Sequence, residues 1–274
     1  MHRLDFDSKF NLLVQESYLA KQALLSGFEG LLKANYYANL DGYFYQGFFN
    51  VSIGVERLLK LVFLTDFMLD NDYRAPSKGQ LKSYGHDVSA LYDGMSKLIE
   101  KYCVDAGGAA GFDSDKEILD FLSEFAMVSR YHNLDEICSR KMSVSPLYKW
   151  MDILREIYED SVSCARRESI DMRIILGMNS NNFTVHQDQT GHPLNEFEIL
   201  QIQNVTRKAG PMAIWRIVEL FRPAYYLLGE MADRGRAYER SKGITKMVIP
   251  HYEDFFYFLL ADRKSCLSRK KWLV

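Results

Sequence analysis

The chain has 274 residues, of which 47% are hydrophobic and 26% charged, a globular composition that excludes a disordered one. Only six Pro and 17 Gly punctuate it, which favours long helices, and the best uncharged run, residues 42–55, is stopped by Glu56 and Arg57 before it is long enough to cross a bilayer. Net charge is −2 but unevenly spread: residues 1–206 hold 20 Lys and Arg against 29 Asp and Glu, and residues 207–274 hold 14 against 7, a basic segment on an acidic body.

Residues 10–32 place Leu12, Leu13, Leu19, Leu24, Phe28 and Leu31 at steps of three and four, one face of a first helix. Residues 40–69 repeat the period through Phe44, Phe48, Val51, Val55, Leu58 and Val62, a second helix about 45 Å long and the spine of a bundle. Residues 71–85 form a polar connection with Pro76 and Gly79, and a third helix runs over residues 87–104. Three glycines in Gly107-Gly108-Ala109-Ala110-Gly111 read as a turn or linker and not as a phosphate loop, since no Gly-Lys-Ser/Thr follows. Ser114-Asp115-Lys116-Glu117 has the form of a capping box ahead of a fourth helix that leads into Ser129-Arg130-Tyr131-His132-Asn133.

Ser145-Pro146 opens a fifth helix expected to continue to Arg173 or Leu176. Residues 177–193 are loop chemistry, with a brief strand allowed at Phe183-Thr184-Val185. A sixth helix is expected over residues 211–236 with a kink at Pro223, and Pro250 opens a last one. Strand alternation is otherwise confined to residues 245–249, so the fold class is all-α. The expected architecture is a helical bundle over residues 1–142 and a C-terminal helical region over residues 143–274, either separate or sharing one core.

Four motifs stand in order: Glu56, then Leu58-Leu59-Lys60, then Gly85-His86-Asp87, then Arg130. This arrangement resembles the HEPN family, the helical module of many prokaryotic RNases and defence proteins, over roughly the first half of the chain. The resemblance implies an up-and-down bundle, association as a homodimer or with a protein partner, and a stress or defence setting. It also implies a site near Arg130. The RNases of the family set an Arg and a His four to six intervening residues apart, so that Arg steadies a scissile phosphate while His moves a proton. None of the six histidines here has that partner, and Arg130-Tyr131-His132-Asn133 has its His only two residues on. The leading expectation is therefore a binding or interaction protein without the usual RNase activity. The alternative is an atypical, metal-independent RNase or nucleotide-directed enzyme using Arg130 with His132 or His86.

Arg130, His132 and Asn133 have two readings: a phosphate-binding cluster, or a helix terminus in which Arg130 and His132 satisfy the last carbonyls and Asn133 caps in the left-handed region. His86 either enters a helix turn or approaches Arg130 across the bundle. Lys60 pairs with Glu56 one turn away, and the family analogy makes it a ligand-binding candidate. Arg269, Lys270 and Lys271, followed by Trp272, have the residue types that contact phosphates and stack on a base of RNA or another single strand.

His186, Asp188 and His192 are metal-type residues at loop spacing, but without a third clustered ligand they point to no metal. Cys103, Cys138, Cys164 and Cys266 are far apart, which indicates neither a zinc nor a redox motif. No cofactor fingerprint appears. With no apolar stretch behind Met1-His2-Arg3, the expected location is cytoplasmic.

Overall fold

The computed structural model describes residues 5–105, 113–139, 144–178, 186–188 and 191–273. The glycine turn at 107–111 and the brief strand at 183–185 lie outside them, as do the side chain of Ser114 and His2. The fold is an all-α helical bundle with eleven α-helices among the described residues. The first, α1 (Ser8–Lys33), starts where the Asp7 carboxylate accepts from the Lys9 amide at 2.8 Å. It lies against α2 (Gly42–Asp70), the expected spine.

Glycine brings these two helices together. A Cβ at Gly27 would stand 2.5 Å from Val51 Cγ2 and 2.8 Å from the Val51 amide nitrogen, and one at Gly54 would stand 2.8 Å from the Leu24 nitrogen. Gly30 and Gly47 face each other in the same seam, where a Cβ on Gly30 would lie 3.1 Å from the Gly47 nitrogen. Backbone therefore packs on backbone, and Leu24, Phe28, Val51 and Val55 close around the seam in full burial.

The polar connection is tighter than its composition indicates, because Ser77 and Gln80 form a reciprocal capping box that starts a short α3 (Lys78–Ser83). Gly85, at φ +70°, then reverses the chain in a conformation that suits glycine and hands it to α4 (Val88–Tyr102). α5 (Asp113–Met127) packs on α2 through an aromatic group in which Phe48 meets Phe121, Phe125 and Trp150 at ring-centroid distances of 4.7, 5.4 and 5.3 Å. A 3-10 turn (Ser129–Tyr131) leads into the short α6 (His132–Ser139).

The expected fifth helix is two. α7 (Pro146–Ser161) begins at the Ser145 cap with Pro at its first turn, but Val162 is extended at φ −119°, ψ 117°, and α8 (Cys164–Gly177) starts afresh. Neither Pro nor Gly marks the break. Ser161, Val162 and Ser163 are weak helix formers, and Arg167 holds the turn by donating to the carbonyls of Glu159 at 2.7 Å and Val162 at 3.2 Å.

The expected helix at Pro211 starts fifteen residues earlier: α9 spans Glu196–Lys242, opened by an Asn195/Glu198 capping box and closed by left-handed Gly243. Helical structure continues through both Pro211 and Pro223. An internal Pro costs about 3 kcal/mol or more. Ile214, Ile217, Val218, Phe221, Leu227 and Leu228 are all buried on this helix, each contributing about 1.5–3 kcal/mol, so the continuous helix wins.

Pro250 does not open a helix. The C-terminal segment is broken into α10 (Glu253–Phe256), a 3-10 turn (Tyr257–Leu260) and α11 (Arg263–Ser268). It is pinned instead by the buried Thr65–Tyr252 hydroxyl pair at 2.8 Å and by the Trp272 amide donating to Glu29 at 2.8 Å. The strand expected within residues 245–249 is real but minimal: β2 (Lys246–Met247) pairs in parallel with β1 (Asp5–Phe6). A single hydrophobic cluster runs from Leu13 on α1 to Trp272 and takes in α2, α4, α5, α7 and α9. Among the described residues, no helix is long and apolar enough to cross a membrane.

Gly27→Ala tests the seam. Overpacking costs about 1–3 kcal/mol, above the roughly 1 kcal/mol that Ala gains over Gly in a helix, so urea denaturation is expected to show net destabilisation. Gly79→Ala is the control, since its Cβ would meet only Ser77 Oγ at 3.9 Å, and it is expected to be neutral or stabilising.

Candidate functional site

Tyr45, Phe49, Glu56 and Lys60 recur at helical spacing on α2 and line the side that faces α5, α6 and the Gly85 turn. Two polar groups form along this stripe. The first gathers around Glu56, whose Oε1 accepts from Lys60 Nζ at 2.8 Å and lies 2.9 Å from His86 Nδ1. A carboxylate only accepts, so the His86 ring nitrogen is the donor. Glu56 is mostly buried while His86 is exposed.

The turn that delivers His86 is fixed from both sides. Asp87 caps α4 by accepting from the Ala90 amide at 3.0 Å, and it accepts from Ser123 Oγ of α5 at 2.7 Å. Ser123 Oγ in turn accepts from the Val88 amide at 3.1 Å. These bonds, the Ser123 one first, hold the Asp87 carboxyl below its ordinary value of 3.8.

The second group lies at the junction of α5 and α6. The Arg130 guanidinium, in the 3-10 turn, donates back to the Ala126 carbonyl in the last turn of α5 and sits 5.8 Å from the Phe49 ring centroid. His132 Nδ1 is 3.9 Å from Glu136 one turn along α6, and its side chain is largely buried. Asn133 Oδ1 accepts from Tyr45 OH at 3.5 Å, and burial raises the Tyr45 phenol above its usual value. The terminal-capping reading thus holds for Arg130, but Asn133 lies inside α6 with ordinary helical backbone and is not a left-handed cap.

The two groups are separate. Phe49, beside Arg130, and Glu56, beside His86, are seven residues apart on α2, two turns and about 10 Å along its axis. Arg130 and His86 therefore address different points of one stripe. Lys60 also borders an apolar groove of about 470 Å³ between α1 and α2, lined by Leu12, Leu19, Leu64 and Leu81 and edged by the Arg57–Glu16 ion pair at 2.5 Å.

The remaining candidates lie elsewhere. Arg269, Lys270 and Lys271 are exposed, but Trp272 is only 2% exposed, its ring 5.0 Å from Phe28 and covered by the Arg269 guanidinium at 4.5 Å. That corrects the expectation of a base-stacking Trp: the ring belongs to the core. His186, Asp188 and His192 sit in a small hairpin closed by a Gln187–Pro193 bridge. Among the described residues, no three His, Cys, Asp or Glu side chains come together to hold a metal.

The Glu56–His86 contact was not anticipated from sequence. The sequence reading pairs Glu56 with Lys60 and leaves His86 to a helix turn or to Arg130, although Glu56 and His86 belong to the same ordered set of motifs. Comparison with protein-family models, with curated proteins and with solved structures returned no match.

Asp87→Ala removes both the cap and the tie to α5, a loss of about 0.5–2 kcal/mol for the cap alone. Because the folded carboxyl titrates below the unfolded one, its contribution is complete above the ordinary carboxylate value and is lost as pH falls through the depressed one. The stability difference between wild type and Asp87→Ala, followed by thermal melts, is expected to stay constant near neutrality and to shrink below about pH 4.

Proposed function

We propose that the chain is a HEPN-like binding or interaction protein of a prokaryotic stress or defence setting, acting as a homodimer or with a protein partner and without the usual RNase chemistry. The observation that carries this reading is the separation just described. Arg130 is turned back onto the Ala126 carbonyl and the Phe49 ring, while His86 is engaged with Glu56 two turns away. A phosphate bound at one is out of reach of the other, which argues against the pairing of Arg130 with His86, and His132, two residues from Arg130, is largely buried beside Glu136 instead of open to a substrate.

Association has its own support. Tyr131, Leu134 and Ile137 are 67%, 61% and 76% exposed and, at steps of three, form one apolar face over the 3-10 turn and α6, continued by exposed Met127 and Val128. Contiguous apolar surface of this kind marks interaction sites. Sedimentation velocity at high micromolar concentration is expected to give twice the chain mass for wild type and the monomer mass for Leu134→Glu/Ile137→Glu, with unchanged helicity. A wild type that stays monomeric overturns the homodimer. Cleavage of mixed RNA by wild type but not by Arg130→Ala overturns the non-catalytic reading.

Engagement of nucleic acid is proposed through the exposed cations Arg263, Lys264, Lys270 and Lys271 around α11. Binding to single-stranded RNA is then expected to weaken steeply with salt, because neutralised phosphates release counterions. Lys270→Glu/Lys271→Glu leaves Arg269 in place over Trp272 and is expected to lower the log–log salt slope by about 1.4, at roughly 0.7 per phosphate contact on a single strand. Fluorescence anisotropy reads this directly. Undetectable binding at low salt removes the nucleic-acid part of the proposal.

A further inference from the structure

Four segments line a small cleft that shares no residue with the Glu56 group. The α1–α2 link contributes Tyr36 and Tyr37, α7 contributes Met151 and Arg155, the hairpin that precedes α9 contributes Asp188 and Leu194, and α9 itself contributes Ile202. Its volume is about 150 Å³, well under the roughly 300–1,000 Å³ of sites for drug-sized molecules. The occupant it suits is accordingly small.

Each wall is fixed by the fold. Tyr36 OH donates to the Leu147 carbonyl at 2.5 Å, which joins the link to the start of α7. Tyr37 takes a left-handed backbone at φ 54°, uncommon for an aromatic residue, and sets its ring 5.6 Å from that of His186. The hairpin is closed by the Asp188 amide donating to the His192 carbonyl at 2.8 Å and the Leu194 amide donating to the His186 carbonyl at 2.9 Å. The Asp188 carboxylate is oriented by the His192 amide at 2.9 Å. Met151 is 5% exposed and gives the cleft an apolar floor.

Charge makes the cleft selective. It has a guanidinium from Arg155 and a carboxylate from Asp188, and the Tyr37 hydroxyl feels both: burial raises its phenol most, Asp188 raises it further and Arg155 pulls it down. The described partner of Arg155 is Asp152, at 3.4 Å in an exposed ion pair, and such pairs contribute only about 0–1 kcal/mol. A planar guanidinium suits a carboxylate in two-pronged contact. A carboxylate among aromatic rings suits an ammonium, which gains from both the charge and the ring faces. A nucleotide fits poorly, since it is too large for the space and its phosphate would meet Asp188.

We propose that this cleft binds a free α-amino acid with a small apolar side chain, the carboxylate on Arg155, the ammonium on Asp188 and the tyrosine rings, and the side chain over Met151 and Leu194. The proposal is independent of the partner reading of α6 and of the HEPN resemblance.

Calorimetric titration of the full chain with L-valine, L-leucine and L-methionine tests it, alongside 4-methylpentanoate, which lacks the ammonium, and 3-methylbutylamine, which lacks the carboxylate. At least one of the three amino acids is expected to bind, and both single-charge analogues to bind at least about tenfold more weakly, each tenfold being 1.4 kcal/mol. Asp188→Asn keeps an oxygen for the His192 amide, and Arg155→Met gives up only an exposed ion pair, so both variants are expected to fold with unchanged circular dichroism. Each is expected to lose at least tenfold in amino-acid affinity. Asp188→Asn is further expected to narrow the gap to the carboxylate analogue, and Arg155→Met the gap to the amine. Failure of all three amino acids to bind wild type at millimolar concentration overturns the proposal, as do equal binding by both variants and equal binding of adenosine monophosphate.

Discussion

The backbone-to-backbone seam between α1 and α2 is the constraint on which the rest of the structure depends. Gly27, Gly30, Gly47 and Gly54 remove the side chains that would hold the two helices apart. The close approach turns Leu24, Phe28, Val51 and Val55 inward together, and it leaves α2 free to offer its other faces to α4, α5 and α9. A seam of this kind has no slack. A single added methyl must displace backbone, whereas a leucine seam would absorb it by a change of rotamer.

Around that seam the bundle is tied by polar contacts between elements distant in sequence. Tyr73 OH donates to the Gly235 carbonyl at 2.8 Å, and the Val248 amide donates to the buried Glu239 carboxylate at 2.8 Å, so the end of α9, the α2–α3 turn and the β2 region are fixed together. Arg216, 3% exposed on α9, lies 3.7 Å from Asp115 on α5, and its burial lowers the guanidinium's pKa from its usual value. Such a pair is worth little net of desolvation, but removing one partner alone is costly. Its effect is to fix how α5 lies on α9, where apolar packing alone would permit sliding.

The sequence was legible where hydrophobic period and punctuation agree. α1, α2, α4 and the start of α7 fall within a few residues of their expected bounds because an apolar stripe coincides with caps such as Asp7, Asp87 and Ser145. It was misleading where punctuation and packing conflict. Pro211 looked like a beginning and is the interior of α9, since the buried face outweighs the missing amide. The α7–α8 break carries neither Pro nor Gly, and the C-terminal segment owes its path to Thr65 and Glu29, partners 187 and 243 residues away. The same holds for the candidate site. Lys60 with Glu56 could be read from spacing, and Arg130 as a terminal cap from its place at a helix end. The 30-residue link from Glu56 to His86 and the ring of Phe49 beside Arg130 belong to tertiary structure and leave no local mark.

The anchoring of Trp272 on α1 also bears on the order of folding. The α1–α2 pair is joined by a short link, so its loop closure is inexpensive and its contacts form early. Phe28 receives its aromatic partners, and Glu29 its backbone donor, from residues 258–272. An early α1–α2 hairpin therefore carries an open aromatic face that stays wet until the distant segment arrives. For that interval the chain is a two-helix intermediate with a sticky flank, the species a chaperone would recognise and the point at which a crowded solution would divert it toward aggregation.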